Sequence, residues 1–386
     1  MIDFNLPYLS ASLPGIGGQL RATDEHFVVE ELPLYEPEGT GQHLYLRLTK
    51  RGLTTKDVQA RLERLLNLDR NTVGFAGLKD KHARTTQVFS VPVAHPNTLT
   101  DVAAADQAVV ERIQAELPVE IHWARRHGNK LKPGHLLGNR FQITVTNLSV
   151  PLTEAKMRTE AIATLLCTQG VPNFFGAQRF GINGANVEKG LSLIRNKRRE
   201  RNPWLRKFLI SAYQSYLCNL YLARRVETGI FDRLLLGDVA KKHDTGGMFD
   251  VTDLEVEQPR YAAQEISFTA PLFGAKMWAA KEDAGALESA LQAEADIDAD
   301  DWRKAKVDGT RRFGRILLPD LTIRTKQIPV GALDSAGSGA TTGNDATIDA
   351  LEFTFSLPKG AFATVILREF MKVDLADADI DSDVDL

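Results

Sequence analysis

Cysteine is nearly absent: Cys167 and Cys218 are the two in 386 residues, and no CxxC occurs. That usage offers neither a disulfide framework nor a thiolate zinc site. It fits a reducing compartment, so a cytoplasmic location is expected. Long apolar runs are missing as well. Nothing approaches the roughly 18 residues that a membrane helix needs, so no membrane partner is expected. The opening MIDFNLPYLS lacks the basic and apolar segments of a secretory signal. Common chemical signatures are absent in turn. There is no GxxxxGKS/T phosphate loop, no HExxH and no GxSxG, and GIGGQL at 15–20 has no strand before it and no helix after it. His122 and His127 lie five apart on an expected strand and read as polar surface residues. Any chemistry is therefore expected to run on side chains alone, with no cofactor and no metal.

What is present is an ordinary globular composition, 43% apolar and 25% charged, enough to bury a real core. The net charge is −3, but its distribution is more informative. The last sixteen residues, MKVDLADADIDSDVDL, hold six Asp against one Lys, which leaves the rest of the chain positive. Basic residues then cluster. RNKRRERNPWLRK (195–207) carries seven Lys/Arg against one Glu, and ARRHGNKLKPGHLLGNR (124–140) carries five with no acid. Either run alone reads equally well as a solvated loop. Two runs with aromatics nearby point to a phosphate backbone.

Strand-like patterns occupy 27–35, 43–50, 72–77, 85–93, 119–127 and 140–148. Thr54 is placed to cap a helix whose apolar positions Val58, Leu62, Leu65 and Leu66 share one face. A second helix is expected near 153–168 and a long one over 203–225, with Phe208, Ala212, Leu217 and Leu220 towards a core. Short strand-like pieces follow at 264–274 and 311–324, a small polar loop at 334–349, then a strand at 353–360 and a helix at 361–370. Strands thus occupy both ends of the sequence around a helix-rich middle, an α+β pattern with an insertion.

Lys79-Asp80-Lys81-His82 falls in the connection between two strand-like stretches. Taken alone it is an ordinary exposed turn, because Asp is a favoured turn residue. The wider sequence overrides that reading. GLKDKHARTTQ (77–87) resembles the segment around the catalytic aspartate of the tRNA pseudouridine synthase D family. RATDEHFVVEE (21–31), HGNKLKPGHLLGNRF (127–141), GVPNFFGAQRFG (170–181) and FSLPKGAFATVILRE (355–369) resemble further family segments, in the family's order and across nearly the whole chain. Leu78 departs from the pattern, since some members have Gln there, and the 334–349 loop and the acidic tail read as local additions.

The resemblance implies an α+β fold: a mostly antiparallel, mixed-sheet pseudouridine-synthase catalytic domain built from 1–169 and 331–372. A helix-rich TRUD domain is inserted at 170–330, and 373–386 form an acidic tail, expected to be disordered. It implies isomerisation of a uridine in tRNA to pseudouridine, at uridine-13 of a glutamate tRNA, with tRNA as partner. The sequence itself says little about oligomeric state, and a monomer is favoured. Breaking the N1–C1′ bond leaves positive charge at C1′, which a carboxylate can stabilise or attack without metal or cofactor. Asp80 is the expected nucleophile, and Arg21 the charge partner that keeps it ionised. Phe141 and Asn139 are expected to hold the flipped base by stacking and by an amide hydrogen bond, with Phe27 and Phe355 as further contacts. For each phenylalanine the plain alternative is a core residue. Lys79, Lys81, Arg179, Arg198, Arg199 and Arg201 are candidates for the RNA backbone. A non-catalytic RNA-binding or chaperone protein with the same fold is the alternative; it would need the basic runs but not Asp80.

Overall fold

The strand Phe27–Pro33 shows how one half of the chain folds: Phe27, Val29 and Glu31 turn inward while Val28 and Glu30 face out, the two-residue period of a pleated strand. The computed structural model describes residues 5–98, 100–329 and 347–373. They divide into two compact units. One comprises residues 17–156 and 320–360; the other takes 157–319 together with the described parts of 1–16 and 361–386. The sequence boundaries expected at 169/170 and 330/331 differ from these limits. In particular, the helix Ala363–Met371 belongs with the middle of the chain.

The first unit is built on a nine-stranded mixed sheet among the described residues. Its strands include β1 (Gly17–Gln19), β2 (Phe27–Pro33), β3 (His43–Lys50), β4 (Gly74–Phe75), β5 (Arg84–Pro92), β6 (Val119–His127) and β7 (Leu136–Leu148). Strands Thr322–Pro329 and Thr347–Pro358 complete it. The main path runs from Thr322–Pro329 through Thr347–Pro358, β7, β2, β5 and β3 to β6, while β1 pairs with β7 and β4 with β5. Every pair is antiparallel except β2 with β5, whose parallel pairing requires a crossover. That crossover contains β3 and the helix Thr55–Leu65.

The helix starts where the sequence places it. Thr54 Oγ1 accepts from the Asp57 N–H, and the Asp57 carboxylate accepts from the Thr54 N–H, a reciprocal capping box. The Thr54 N–H bond holds the Asp57 carboxyl below its ordinary pKa. Val58 and Leu62 from this helix pack on Leu44, Leu46, Leu48, Phe89 and Val91 from one face of the sheet.

Two local expectations change. Residues 347–349 open a strand, while 334–346 and the tail beyond 373 lie outside the described residues. His127 is buried, with its ring stacked on Tyr35 at 5.2 Å. His122 is exposed as expected, its Nε2 2.7 Å from Thr49 Oγ1. The pairing of β3 with β6 shifts register between Arg47 and Leu48, which breaks the simple alternation along β6 and leaves His127 inward.

Among the described residues, the second unit carries a four-stranded antiparallel sheet of Met248–Asp250, Val239–Lys242, Ile266–Leu272 and Thr310–Phe313. Its longest helix, Pro203–Glu227, has Asn202 as N-cap and Pro203 in the first turn, and buries Leu209, Ala212, Leu217 and Leu222.

Candidate active site

Cross-strand register puts one row of side chains on a single sheet face. Phe355 pairs with Phe141, Phe141 with Val29, Val29 with Thr85, and Thr85 with Lys50. Residues two positions along each strand join the same face, which adds Phe27, Glu31 and Asn139. Phe141 and Phe355 stack with centroids 5.7 Å apart, and Phe27 meets Phe141 edge-on at 6.4 Å.

Arg21 connects this aromatic row to the loop after β4. Its guanidinium lies 4.3 Å from the Phe27 ring centroid, and its Nη2 donates to Asp80 Oδ2 at 2.7 Å. Arg21 has φ +55, a left-handed conformation disfavoured by about 1–2 kcal/mol for a residue with a Cβ. Such strain gathers where geometry serves a function. The contact chain Asp80–Arg21–Phe27–Phe141–Phe355 therefore brings together five residues expected from the sequence. The Asp80 side chain keeps 37% of its surface exposed, so a ligand can reach it.

Asn139 stands two residues from Phe141 on the same face. Its Oδ1 is buried and has no hydrogen-bond partner among the described residues. A desolvated acceptor without a donor is unfavourable, and an N–H arriving at that point would relieve it.

Other candidates are placed differently. Lys79 is withdrawn from phosphates: it is buried, and its Nζ donates at 2.9 Å to Glu31, whose side chain is 1% exposed. The ring of Phe355 is fully buried and offers no surface to a base; it supports Phe141 from behind. Phe27 retains 3% and Phe141 7% of their surface. Lys81 is half-buried in the same loop. Arg179, Arg198, Arg199 and Arg201 belong to the other unit. There, Arg198, Arg199 and Arg201 are exposed. Arg179 donates to Ser211 Oγ at 2.5 Å and lies over Phe208, and burial lowers its pKa from the ordinary arginine value.

Sequence reasoning missed the residues that hold the Asp80 loop. The Lys79 N–H donates to Thr55 Oγ1 at 2.8 Å, Gln87 Nε2 donates to the Gly77 carbonyl at 3.1 Å, and Lys50 Nζ donates to the Asp80 carbonyl at 2.8 Å. Buried charge at two inward positions was the readable signal. Lys50 continues the inward series Leu44, Leu46, Leu48, and Glu31 continues Phe27, Val29; a charge at an inward position needs a buried partner. Among the described residues no group of three His, Cys, Asp or Glu is arranged to hold a metal, and no helix is long and apolar enough to cross a membrane.

A family model described as "tRNA pseudouridine synthase D (TruD)" matches residues 3–201 and 198–370. A tRNA pseudouridine synthase D of Anaeromyxobacter sp. strain Fw109-5 is 39% identical over 385 residues, covering 97% of this chain and 99% of that protein. One from Thermus thermophilus is 38% identical over 371 residues, covering 96% and 93%. The crystal structure of a candidate tRNA pseudouridine synthase D from Methanosarcina mazei superposes with a TM-score of 0.74 at 25% identity, covering 97% of each chain.

Proposed function

The chain belongs to the tRNA pseudouridine synthase D family, and we propose that it isomerises one uridine of tRNA to pseudouridine at the Asp80 carboxylate. The observation that carries this reading is the paired, reachable carboxylate of Asp80, tied through Arg21 to an aromatic row on a rigid sheet.

The chemistry follows from that arrangement. The target nucleotide leaves its stack, because the anomeric carbon is not approachable inside a helix. Its uracil packs against Phe141, and the uracil N3–H pairs with Asn139 Oδ1. The carboxylate of Asp80 meets C1′ as the N1–C1′ bond breaks. The base turns, C5 bonds to C1′, the C5 hydrogen is lost as a proton, and N1 gains one. Product and substrate have equal mass. Arg21 holds the carboxylate in place throughout and neutralises its charge in the absence of substrate. Exposed Arg198, Arg199 and Arg201 contact the tRNA backbone, and the site of modification is uridine-13 of a glutamate tRNA.

Tritium release from tRNA carrying 5-tritiated uridine tests this directly. Wild type releases tritium, and Asp80→Ala lowers the rate by at least about a thousandfold, as loss of a covalent or charge-stabilising group does. Full rate in Asp80→Ala would reject the site. No release from any cellular tRNA by the wild type would favour a non-catalytic RNA-binding protein, and strand breaks in place of release would favour a hydrolase.

A further inference from the structure

Lys50 is used by none of the steps above, yet it is fully buried. Its ammonium donates to the Leu53 carbonyl at 2.5 Å, the Asp80 carbonyl at 2.8 Å and, more weakly, the Lys79 carbonyl at 3.4 Å. We infer that Lys50 is a positioning residue that fixes the main chain of the Asp80 loop at the height where the carboxylate meets its substrate. This rests on the reading of Asp80 given above.

Between β4 and β5, residues 76–83 form no strand or helix, so the carbonyls there have no ladder to join. An ammonium carries three donors and no acceptor, and burying it is strongly unfavourable unless those donors are met. Here they converge on carbonyls from two loops, one after β3 and one after β4. An apolar side chain of equal length would fill the volume but leave the carbonyls without this donor.

Placement makes this more than loop stability. Lys50 lies in the cross-sheet row that contains Phe141, three strands away through Thr85 and Val29. The sheet fixes the aromatic ring, and Lys50 ties the main chain of Asp80 to that same sheet. The separation between carboxylate and base platform is thereby set by one rigid element. Arg21 governs the side-chain end of Asp80, and Lys50 governs its backbone end.

The experiment compares Lys50→Met, Lys50→Arg and Asp80→Ala in the full chain. Single-turnover tritium release per folded molecule, tRNA affinity and thermal unfolding are measured for each. Lys50→Met is expected to lose about 10–100-fold in rate, the cost of a small misplacement, while tRNA affinity stays within about twofold. Lys50→Arg, which restores donors, is expected to recover most of the rate. A Lys50→Met rate within about twofold of wild type, with Asp80→Ala inactive, overturns the positioning role and leaves Asp80 in place. A loss carried equally by rate and tRNA affinity overturns it too, as does one that vanishes when rates are expressed per folded molecule. Full activity of Asp80→Ala removes the reading of the site and this inference with it.

Discussion

The Asp80 loop and the basic run at 195–207 look alike in composition, yet their polar groups are handled in opposite ways. In the loop, inward contacts hold one polar group after another: Thr55 takes the Lys79 N–H, Glu31 the Lys79 ammonium, Gln87 the Gly77 carbonyl and Lys50 the Asp80 carbonyl. In the run, the outer arginines are tied down, Arg195 to the Ala295 and Asp296 carbonyls and Arg206 to the Ala305 carbonyl. Between them, Lys197, Arg198, Arg199 and Arg201 stand exposed. A group that must meet one carbon atom needs a fixed backbone. Groups that follow a phosphate chain act by charge and can stay mobile.

The largest effect is expected from within the loop. Glu31→Leu leaves the Lys79 ammonium buried without its carboxylate, and a loss of about 3–5 kcal/mol in stability is expected. The double variant Glu31→Leu/Lys79→Met is expected to recover much of that loss, because the buried charge has gone with its partner. Chemical denaturation of the single and double variants measures the coupling. If Glu31→Leu unfolds like the wild type, the pair does not hold the loop.

This pair also shows how far the sequence could be read. Strands β2 to β7 and the helix after Thr54 follow from alternation and capping, which are local and leave a direct mark on residue order, whereas β1 was not expected and Thr322–Pro329 was expected only in part. The position of Asp80 and its partner Arg21 followed from motif resemblance. The fate of Lys79 did not, because Lys79 and Asp80 are neighbours whose side chains diverge. One reaches Glu31, 48 residues away, and the other Arg21, 59 residues away. Phe355 misled for a related reason: its motif signals the aromatic row, but the depth of each ring within that row depends on how three strands pack. The helix Ala363–Met371 was legible as a helix but not as part of the other unit, since its docking is tertiary. Glu369 from this helix accepts from the Leu9 and Ser10 N–H groups, 360 and 359 residues away in sequence.

The basic run gives smaller, gentler effects. Replacing Arg198, Arg199 and Arg201 together by Ala is expected to weaken tRNA binding and to flatten the slope of log affinity against log salt by about two, since each lost phosphate contact removes roughly 0.7–0.9 from that slope. An unchanged slope would mean that the run faces away from RNA. Single-turnover rate at saturating tRNA should stay near the wild-type value, whereas Asp80→Ala should show the reverse pattern, with binding retained and rate lost.

Trp204 sharpens the contrast at the level of one side chain. It is 56% exposed, and its ring lies parallel to Phe208 at 5.5 Å, with Arg179 placed over that Phe208 ring. An exposed aromatic close in sequence to exposed cations suits an unstacked base, whose stacking is worth about 1–3 kcal/mol. Trp204→Leu is therefore expected to weaken tRNA binding by about tenfold while leaving the salt slope unchanged, because no phosphate contact is lost. The arginine variants should change the slope; the tryptophan variant should not. Unaltered affinity in Trp204→Leu would confine the RNA contact of this segment to charge alone.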